Sequence, residues 1–184
     1  TCALPICVLM ARIALSLMNA GASGVSYWSL LDEYYAFTDS YGSMQQLGLW
    51  RSAKSEYESE PYYNNIKCDF EVRPQYWAYS LLTRHIGRAE IYPLTTGNEF
   101  VAASAFRGEQ GGWVYVVANG SEHDFQATIN NDAIQKGKFS RYAYTKDNLP
   151  ANDNIIECDE QARARKGFLP INVAAQSIAV YVEE

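Results

Sequence analysis

The half of the chain after residue 88 alternates apolar and polar residues over short runs, and this pattern constrains the fold most. A period of two places successive side chains on opposite faces of a strand, so each run predicts a β-strand. Turn-forming Gly, Asn and Asp residues separate the runs. The predicted strands are Ala89–Leu94, Phe100–Phe106, Trp113–Ala118, Asp124–Ile129, Phe139–Tyr144, Phe168–Val173 and Ser177–Val182. Such strands are typical of an antiparallel β-sandwich, which we predict for residues 89–184.

Residues 1–88 have a mixed α/β pattern. Helices are predicted over Pro5–Met18 and Arg73–Ile86, because each opens on a proline-containing first turn and carries an apolar face. Between them, Val25–Leu31 is a nearly continuous run of large or β-favouring residues, typical of a strand buried on both faces. A lone strand of this kind needs neighbours to satisfy its backbone groups. Residues 1–88 are therefore predicted to be part of a larger arrangement. Residues 36–72 are predicted to be a long loop, and loops of this length are usually either functional or partly ordered by packing.

Composition excludes several classes of protein. The chain has 184 residues, is 48% hydrophobic and carries a net charge of −6, so it can bury a core and is not predicted to be disordered. Its sequence contains no run of Lys and Arg of the kind that binds nucleic acid, and no apolar run of the roughly 20 residues that would span a membrane. We therefore expect no nucleic-acid partner and no membrane partner.

The cysteines and histidines predict neither a metal site nor a cofactor. The spacing of Cys2, Cys7, Cys68 and Cys158 matches no zinc-binding pattern, and any disulfide pairing stays open. The two histidines are 38 residues apart without flanking carboxylates, which argues against a catalytic triad or a histidine-rich metal site.

Several segments, in their order along the chain, resemble the retaining β/α-barrel glycoside hydrolases. Gly24–Glu33 resembles the eighth barrel strand of that clan, and Gly48–Trp50 and Arg73–Tyr79 resemble the stretch leading into the final barrel helix. Leu169–Val180 resembles the closing strands of the sandwich that many of these enzymes append. The resemblance implies an α/β plus all-β fold: the terminal portion of a TIM barrel over residues 1–88, followed by the antiparallel β-sandwich over residues 89–184.

The resemblance also implies an activity and a partner. Retaining glycosidases cleave glycosidic bonds, here β-linked oligo- or polysaccharides, with two glutamates about 5–5.5 Å apart. In the clan these glutamates follow the fourth and seventh strands, so both are expected upstream of this chain, and no catalytic residue is assigned within it. Glu33 in particular is not expected to be the nucleophile. The expected partners are the carbohydrate substrate and an upstream N-terminal barrel segment, against which the opening helix would pack.

The same resemblance implies substrate-binding residues. Trp28 would form the floor of the sugar subsite, because an indole ring offers a large rigid surface to the apolar face of a sugar. Asp32 and Glu33 would lie on the rim, and Tyr35 would line an outer subsite, as could the neighbouring Trp50. The alternatives stay open: Trp28 could be a core residue under the opening helix, and the two carboxylates could be a solvated strand end.

A second hypothesis is a non-catalytic carbohydrate-binding or structural β-sandwich module. It predicts exposed aromatic residues in a row on one sheet face, and Tyr115, Tyr142, Tyr144 and Tyr181 are candidates, although their spacing equally suits a core. The sequon Asn119-Gly120-Ser121, the low lysine count and the habits of the resembled clan suggest an extracellular or secreted protein, although no signal peptide is visible.

Overall fold

The computed structural model describes residues 3–27, 30–31, 33–35, 43–45, 48–51, 72–145, 147–148, 150 and 155–184. The chain forms two compact units, one of Thr1–Val25 with Trp77–Glu184 and one of Ser26–Tyr76. The predicted domain boundary at residue 88 stays a prediction, because a domain is defined by folding independently. Within the described residues, no helix combines the length and hydropathy that a membrane crossing requires.

Two helices and ten strands make up the described structure. The helices are α1 (Ala3–Asn19) and α2 (Pro74–His85). The strands are β1 (Glu33–Tyr35), β2 (Ser43–Gln45), β3 (Ala89–Leu94), β4 (Val101–Gly108), β5 (Trp113–Asn119), β6 (Phe125–Asn130), β7 (Lys136–Tyr144), β8 (Cys158–Arg165), β9 (Phe168–Val173) and β10 (Ser177–Glu183).

Strands β3 to β10 form one eight-stranded sheet in the order β3-β4-β5-β10-β7-β8-β9-β6. Every pairing in it is antiparallel, which confirms the predicted antiparallel all-β region. The sheet is curled, because Leu94 on one edge strand and Phe125 on the other pack against the same apolar core. That core is filled from the middle strands by Tyr115, Val117 and Phe139. The two halves of one sheet thus enclose the core that two sheets would enclose in a sandwich.

Helix α1 covers the opposite face of β4, β5 and β10. Its buried side chains include Cys7, Val8, Ala11 and Leu15, so these strands are buried on both faces. Asn19 fixes the end of the helix to the sheet, since its Nδ2 donates to Ala103 O at 2.9 Å and its Oδ1 accepts from Ser104 Oγ at 2.6 Å.

The C-terminus of α1 is capped by a turn at Gly21. Gly21 adopts a φ of 99°, the left-handed conformation that favours glycine. Its N–H donates to Met18 O at 3.0 Å, and Ala22 N–H donates to Leu17 O at 3.0 Å. This pair of bonds is the Schellman motif, which satisfies carbonyls that a helix end would otherwise leave without donors.

The predicted barrel strand over Val25–Leu31 is wrong for the residues that the structure describes. Residues 24–27 have no regular secondary structure, Leu30 lies in a bend, and Leu31 forms an isolated parallel bridge with Trp50. A parallel strand forms a continuous ladder with its neighbours, and the described residues of this segment belong to no such ladder. The structure therefore does not support the assignment of residues 1–88 to the end of a TIM barrel.

Strand β8 is present although the sequence does not predict it. The segment Cys158–Arg165 is polar on both faces, with only Ala164 buried, so it lacks the apolar alternation of the other strands. It forms because it pairs with β7 over most of its length and returns into β9 through a tight turn. Lys166 and Gly167 both have positive φ there, as a type I′ hairpin turn requires.

Candidate functional site

The structure gives only the backbone of part of the predicted sugar site. Trp28 and Asp32 lie outside the described residues. Glu33 and Tyr35 lie at the two ends of β1, where they pair with Gln45 and Ser43 of β2. Both residues are thus carried by a short antiparallel ribbon, and their predicted substrate-binding roles stay predictions.

Trp50 lies where three segments of the Ser26–Tyr76 unit meet. It bridges Leu31 in parallel and Val72 in antiparallel orientation, and its N–H donates to Leu30 O at 2.9 Å. Its ring meets Tyr76 edge-on, with the centroids 5.8 Å apart and the planes at 81°. Indole Nε1 is buried and has no hydrogen-bond partner. The described contacts of Trp50 are therefore packing contacts, whereas the sequence suggested that it could line an outer subsite.

The tyrosine row proposed for a carbohydrate-binding sandwich is wrong. Tyr115, Tyr144 and Tyr181 are each at most 1% exposed, so three of the four candidates cannot stack on a sugar. Their spacing is that of a core, as the alternative held. Tyr181 hydroxyl donates to Asn172 O at 3.0 Å, and Tyr115 hydroxyl accepts from Asn131 Nδ2 at 2.7 Å. Burial raises the pKa of Tyr115 to about 12.

The two remaining tryptophans with described side chains are also core residues. Trp77 and Trp113 are buried, as the sequence predicts for a helix face and a sheet strand. Trp113 stacks on Tyr115 with the ring centroids 6.0 Å apart. Arg107 and Tyr92 cover its outer side, the guanidinium carbon at 5.6 Å and the tyrosine ring at 5.1 Å from the indole. This aromatic group therefore seals one end of the core and presents no open indole face.

His85 is the one histidine with a strongly shifted pKa among the described residues. Burial and then the neighbouring Arg84 charge lower its pKa to about 4. Its ring lies 4.3 Å from the ring of Tyr142, and its buried Nε2 has no hydrogen-bond partner among the described residues. His85 is therefore a neutral packing residue near pH 7.

The sequon at Asn119 is not presented by the folded chain. The side chain is fully buried, and its Nδ2 donates to the carbonyls of His123, Val173 and Ala174 at 2.9–3.1 Å. Its Oδ1 accepts from Ser121 N at 3.0 Å. Every part of the amide therefore holds the loop after β5, and the sequon gives no support to secretion.

The described residues bring together one charged cluster that sequence reasoning missed. Lys136 and Lys138 on β7 lie directly opposite Arg165 and Arg163 on β8. We call these four residues the basic face. The linear sequence shows no cation cluster here because the pairs are 29 and 25 residues apart (165 − 136 and 163 − 138), and only the register of β8 joins them. Elsewhere in the described parts, no group of three or more His, Cys, Asp or Glu side chains could hold a metal ion.

The fold is shared with parts of known glycoside hydrolases. A glycoside hydrolase family 30 subfamily 8 xylanase from Clostridium acetobutylicum superposes with a TM-score of 0.70 at 17% identity, over 98% of this chain and 39% of its own. A conserved exported protein from Bacteroides fragilis gives 0.59 at 15% identity, over 98% and 34%. An α-L-arabinofuranosidase from Thermotoga maritima, solved with arabinose, gives 0.51 at 17% identity, over 75% and 32%.

The three likenesses show which fold the chain shares and how much of each solved structure it covers. The chain spans two fifths or less of the length of the solved structures it resembles. No protein-family model matches the sequence, and no curated protein matches it. At 15–17% identity, these likenesses show the fold that the chain shares with parts of those proteins.

Proposed function

We propose that this chain is the C-terminal portion of a glycoside hydrolase that cleaves β-glycosidic bonds in oligo- or polysaccharides. The observation that carries the proposal is the likeness of almost the whole chain, 98% of it, to 39% of a xylanase. On this proposal the enzyme works by the retaining two-glutamate mechanism, with both glutamates on a segment that precedes Thr1. The chain contributes substrate contacts through Trp28, Asp32, Glu33 and Tyr35, and the rest of it supports the catalytic portion.

An apolar stripe on α1 supports the presence of an N-terminal partner segment. Ile6, Leu9, Ile13 and Leu17 follow one another along one side of the helix and are 47–53% exposed. We call them the α1 stripe. Burying a side chain of this size contributes about 1.5–3 kcal/mol, so a helix face of this kind favours a covering partner. In the proposed enzyme the N-terminal segment covers the α1 stripe.

In the proposed mechanism, the two glutamates of the N-terminal segment carry out the chemistry, and residues of this chain bind the sugar. One glutamate attacks the anomeric carbon while the other protonates the leaving oxygen, and the covalent glycosyl-enzyme is then hydrolysed. Trp28 would hold the sugar ring over these groups by stacking, and Glu33 and Asp32 would accept hydrogen bonds from its hydroxyls. An extracellular location belongs to the same proposal, because a polysaccharide is met outside the cell.

The test uses the intact enzyme that carries this chain. We expect it to hydrolyse β-linked xylan or glucan oligosaccharides, and NMR of the first-formed product to show the β-anomer, as retention requires. Trp28→Ala should lower kcat/KM by roughly ten- to a hundredfold, since aromatic contacts of this size contribute a few kcal/mol. Phe100→Ala, which removes an exposed aromatic side chain just before β4, is the control and should change kcat/KM less than about threefold.

Two results would overturn the proposal. One is a native protein of only 20.7 kDa with no activity on any β-linked glycan, which would favour the structural-module alternative. The other is hydrolysis that releases the α-anomer first, which would reject the retaining mechanism while keeping the enzyme class.

A further inference from the structure

The basic face lies on the outer side of the sheet, away from the core. Ala164, which alternates with Arg163 and Arg165, is buried in the core, so the two arginines point to the opposite side. Lys136, Arg163 and Arg165 are exposed, and Lys138 keeps half of its side-chain surface. A groove of about 640 Å³ is lined by these four cations, which places their charges around one open space.

The positive charge of this face is only partly neutralised. Lys138 pairs with Glu184, and hydrogen bonds from Lys138, Ser140 and Gln161 lower the pKa of Glu184 to about 2. Within the described parts of the chain, Lys136, Arg163 and Arg165 form no ion pair.

Arg141, on the same pair of strands, differs from these three cations because it is paired with carboxylates. It binds both oxygens of Asp159 at 3.0 and 2.9 Å, and it also pairs with Glu160 at 2.6 Å. The nearby carboxylates of Asp159 and Glu160 are thereby engaged by Arg141. Like charges directly opposite each other on neighbouring strands are destabilising. The fold therefore keeps unpaired cations together in a chain whose net charge is −6.

Next to the basic face, polar and aromatic side chains lie on the neighbouring strands β9 and β6. Arg165 pairs with Phe168 on β9, which in turn pairs with Asn130 on β6, and Phe168 is 52% exposed. A second open groove of about 890 Å³ runs along β6, β8 and β9. Its lining includes Gln126, Thr128 and Asn172, whose exposed side chains form no hydrogen bond with another described residue.

We propose that the basic face, together with Phe168 and these polar side chains, binds an acidic polysaccharide, a chain of sugars that carry carboxylate groups. Arginine binds a carboxylate through two parallel hydrogen bonds, a ring such as Phe168 stacks on a sugar face, and the amides and hydroxyl reach sugar hydroxyls. This site shares no residue with the predicted subsite at Trp28. The inference rests on the proposed function only for the choice of a glycan as ligand.

A polysaccharide fits the face better than a nucleic acid does. A nucleic-acid surface needs many cations to match closely spaced phosphates, whereas the first groove is lined by five cations, one of them paired with Glu184, in a chain of net charge −6. Beside the exposed ring of Phe168, the second groove presents the uncharged side chains of Gln126, Thr128 and Asn172, which suit a ligand rich in hydroxyls and sparse in charge.

The test measures binding by the full chain without any hydrolysis, so it can fail independently of the proposed function. In affinity electrophoresis and calorimetry, we expect binding to polygalacturonate, and at least a tenfold weaker affinity for the same polymer after its carboxyl groups have been reduced to alcohols. Arg165→Gln and Phe168→Ala should each weaken binding to polygalacturonate by roughly tenfold. Arg88→Gln removes an exposed cation elsewhere on the same unit and should leave the affinity within about twofold.

Loss of folding cannot mimic this result. Arg165→Gln relieves repulsion from Lys136, so its thermal midpoint should equal or slightly exceed that of the unmodified chain. Arg165→Lys keeps the charge but not the two parallel hydrogen bonds. We expect its affinity to lie between that of the unmodified chain and that of Arg165→Gln. Equal binding to the reduced polymer, no effect of Arg165→Gln, or equally tight binding of duplex DNA or anionic phospholipid vesicles would each overturn the inference.

Discussion

At the scale of single residues, His85 links the packing of the core to pH. Its pKa in the folded chain is about 4, below the ordinary value near 6.5, because burial and Arg84 disfavour the charged form. Between these two values the unfolded chain binds the proton more readily than the folded chain. The free energy of unfolding should therefore fall as the pH is lowered from about 6.5 to about 4.

We expect His85→Phe, which keeps a ring against Tyr142 and cannot titrate, to lose part of this acid destabilisation. Thermal midpoints measured from pH 7 to pH 4 should fall less steeply for His85→Phe than for the unmodified chain. His123→Gln, which replaces an exposed histidine, is the control and should keep the original slope. Identical slopes for all three proteins would contradict the assignment of the effect to His85.

At the scale of elements, the sequence predicts what hydrophobic periodicity can encode. Seven of the eight strands of the large sheet are predicted by alternation or by a short apolar run between turn residues, the latter for strands buried on both faces such as β5 and β10. Strand β8 is not predicted, because its pairing with β7, and not its own apolar pattern, makes it a strand. For Val25–Leu31 the prediction is wrong in the opposite direction, because its β-favouring residues predict a strand that the described residues 25–27 and 30–31 do not form.

Helix α1 offers a matched test of which of its faces stabilises the sheet. Leu15 is fully buried against the strands, and Leu17, two residues along, is about half exposed. Leu15→Ala should lower the free energy of unfolding by about 2–5 kcal/mol, because it opens a cavity in a packed interface. Leu17→Ala makes the same chemical change and should cost less than about 1 kcal/mol. Urea titration measures both, and equal losses would mean that α1 does not dock on the face that the structure shows.

At the scale of the whole molecule, charge and apolar surface are placed where linear sequence cannot show them. The residues of the basic face are adjacent only through strand register, so composition alone led to the expectation that no cation cluster exists. For the predicted sugar site, the sequence names candidate residues but not their arrangement. Stacking by Trp28 depends on side-chain geometry, which hydrophobic periodicity does not encode. For α1 the sequence predicts an apolar face, and the structure adds a second apolar row, the α1 stripe, on its exposed side.

The α1 stripe predicts how the whole chain behaves in solution. In the 184-residue chain it is exposed, so we expect self-association at micromolar concentration, driven by burial of its leucine and isoleucine side chains. Leu9→Lys combined with Ile13→Lys should keep the chain monomeric in sedimentation velocity. Ile155→Lys, which replaces an exposed isoleucine of the same unit outside α1, is the control and should leave association unchanged.

A comparison of the 184-residue chain with the intact enzyme separates self-association through the α1 stripe from its proposed contact with the N-terminal segment. In the intact enzyme the N-terminal segment covers the stripe, so the double lysine variant should lower both the thermal midpoint and the glycosidase activity there, while Ile155→Lys changes neither. A chain that sediments as a monomer without any substitution, together with an intact enzyme that tolerates both lysines, would show that no segment covers α1. Fold likeness alone would then support an N-terminal partner segment.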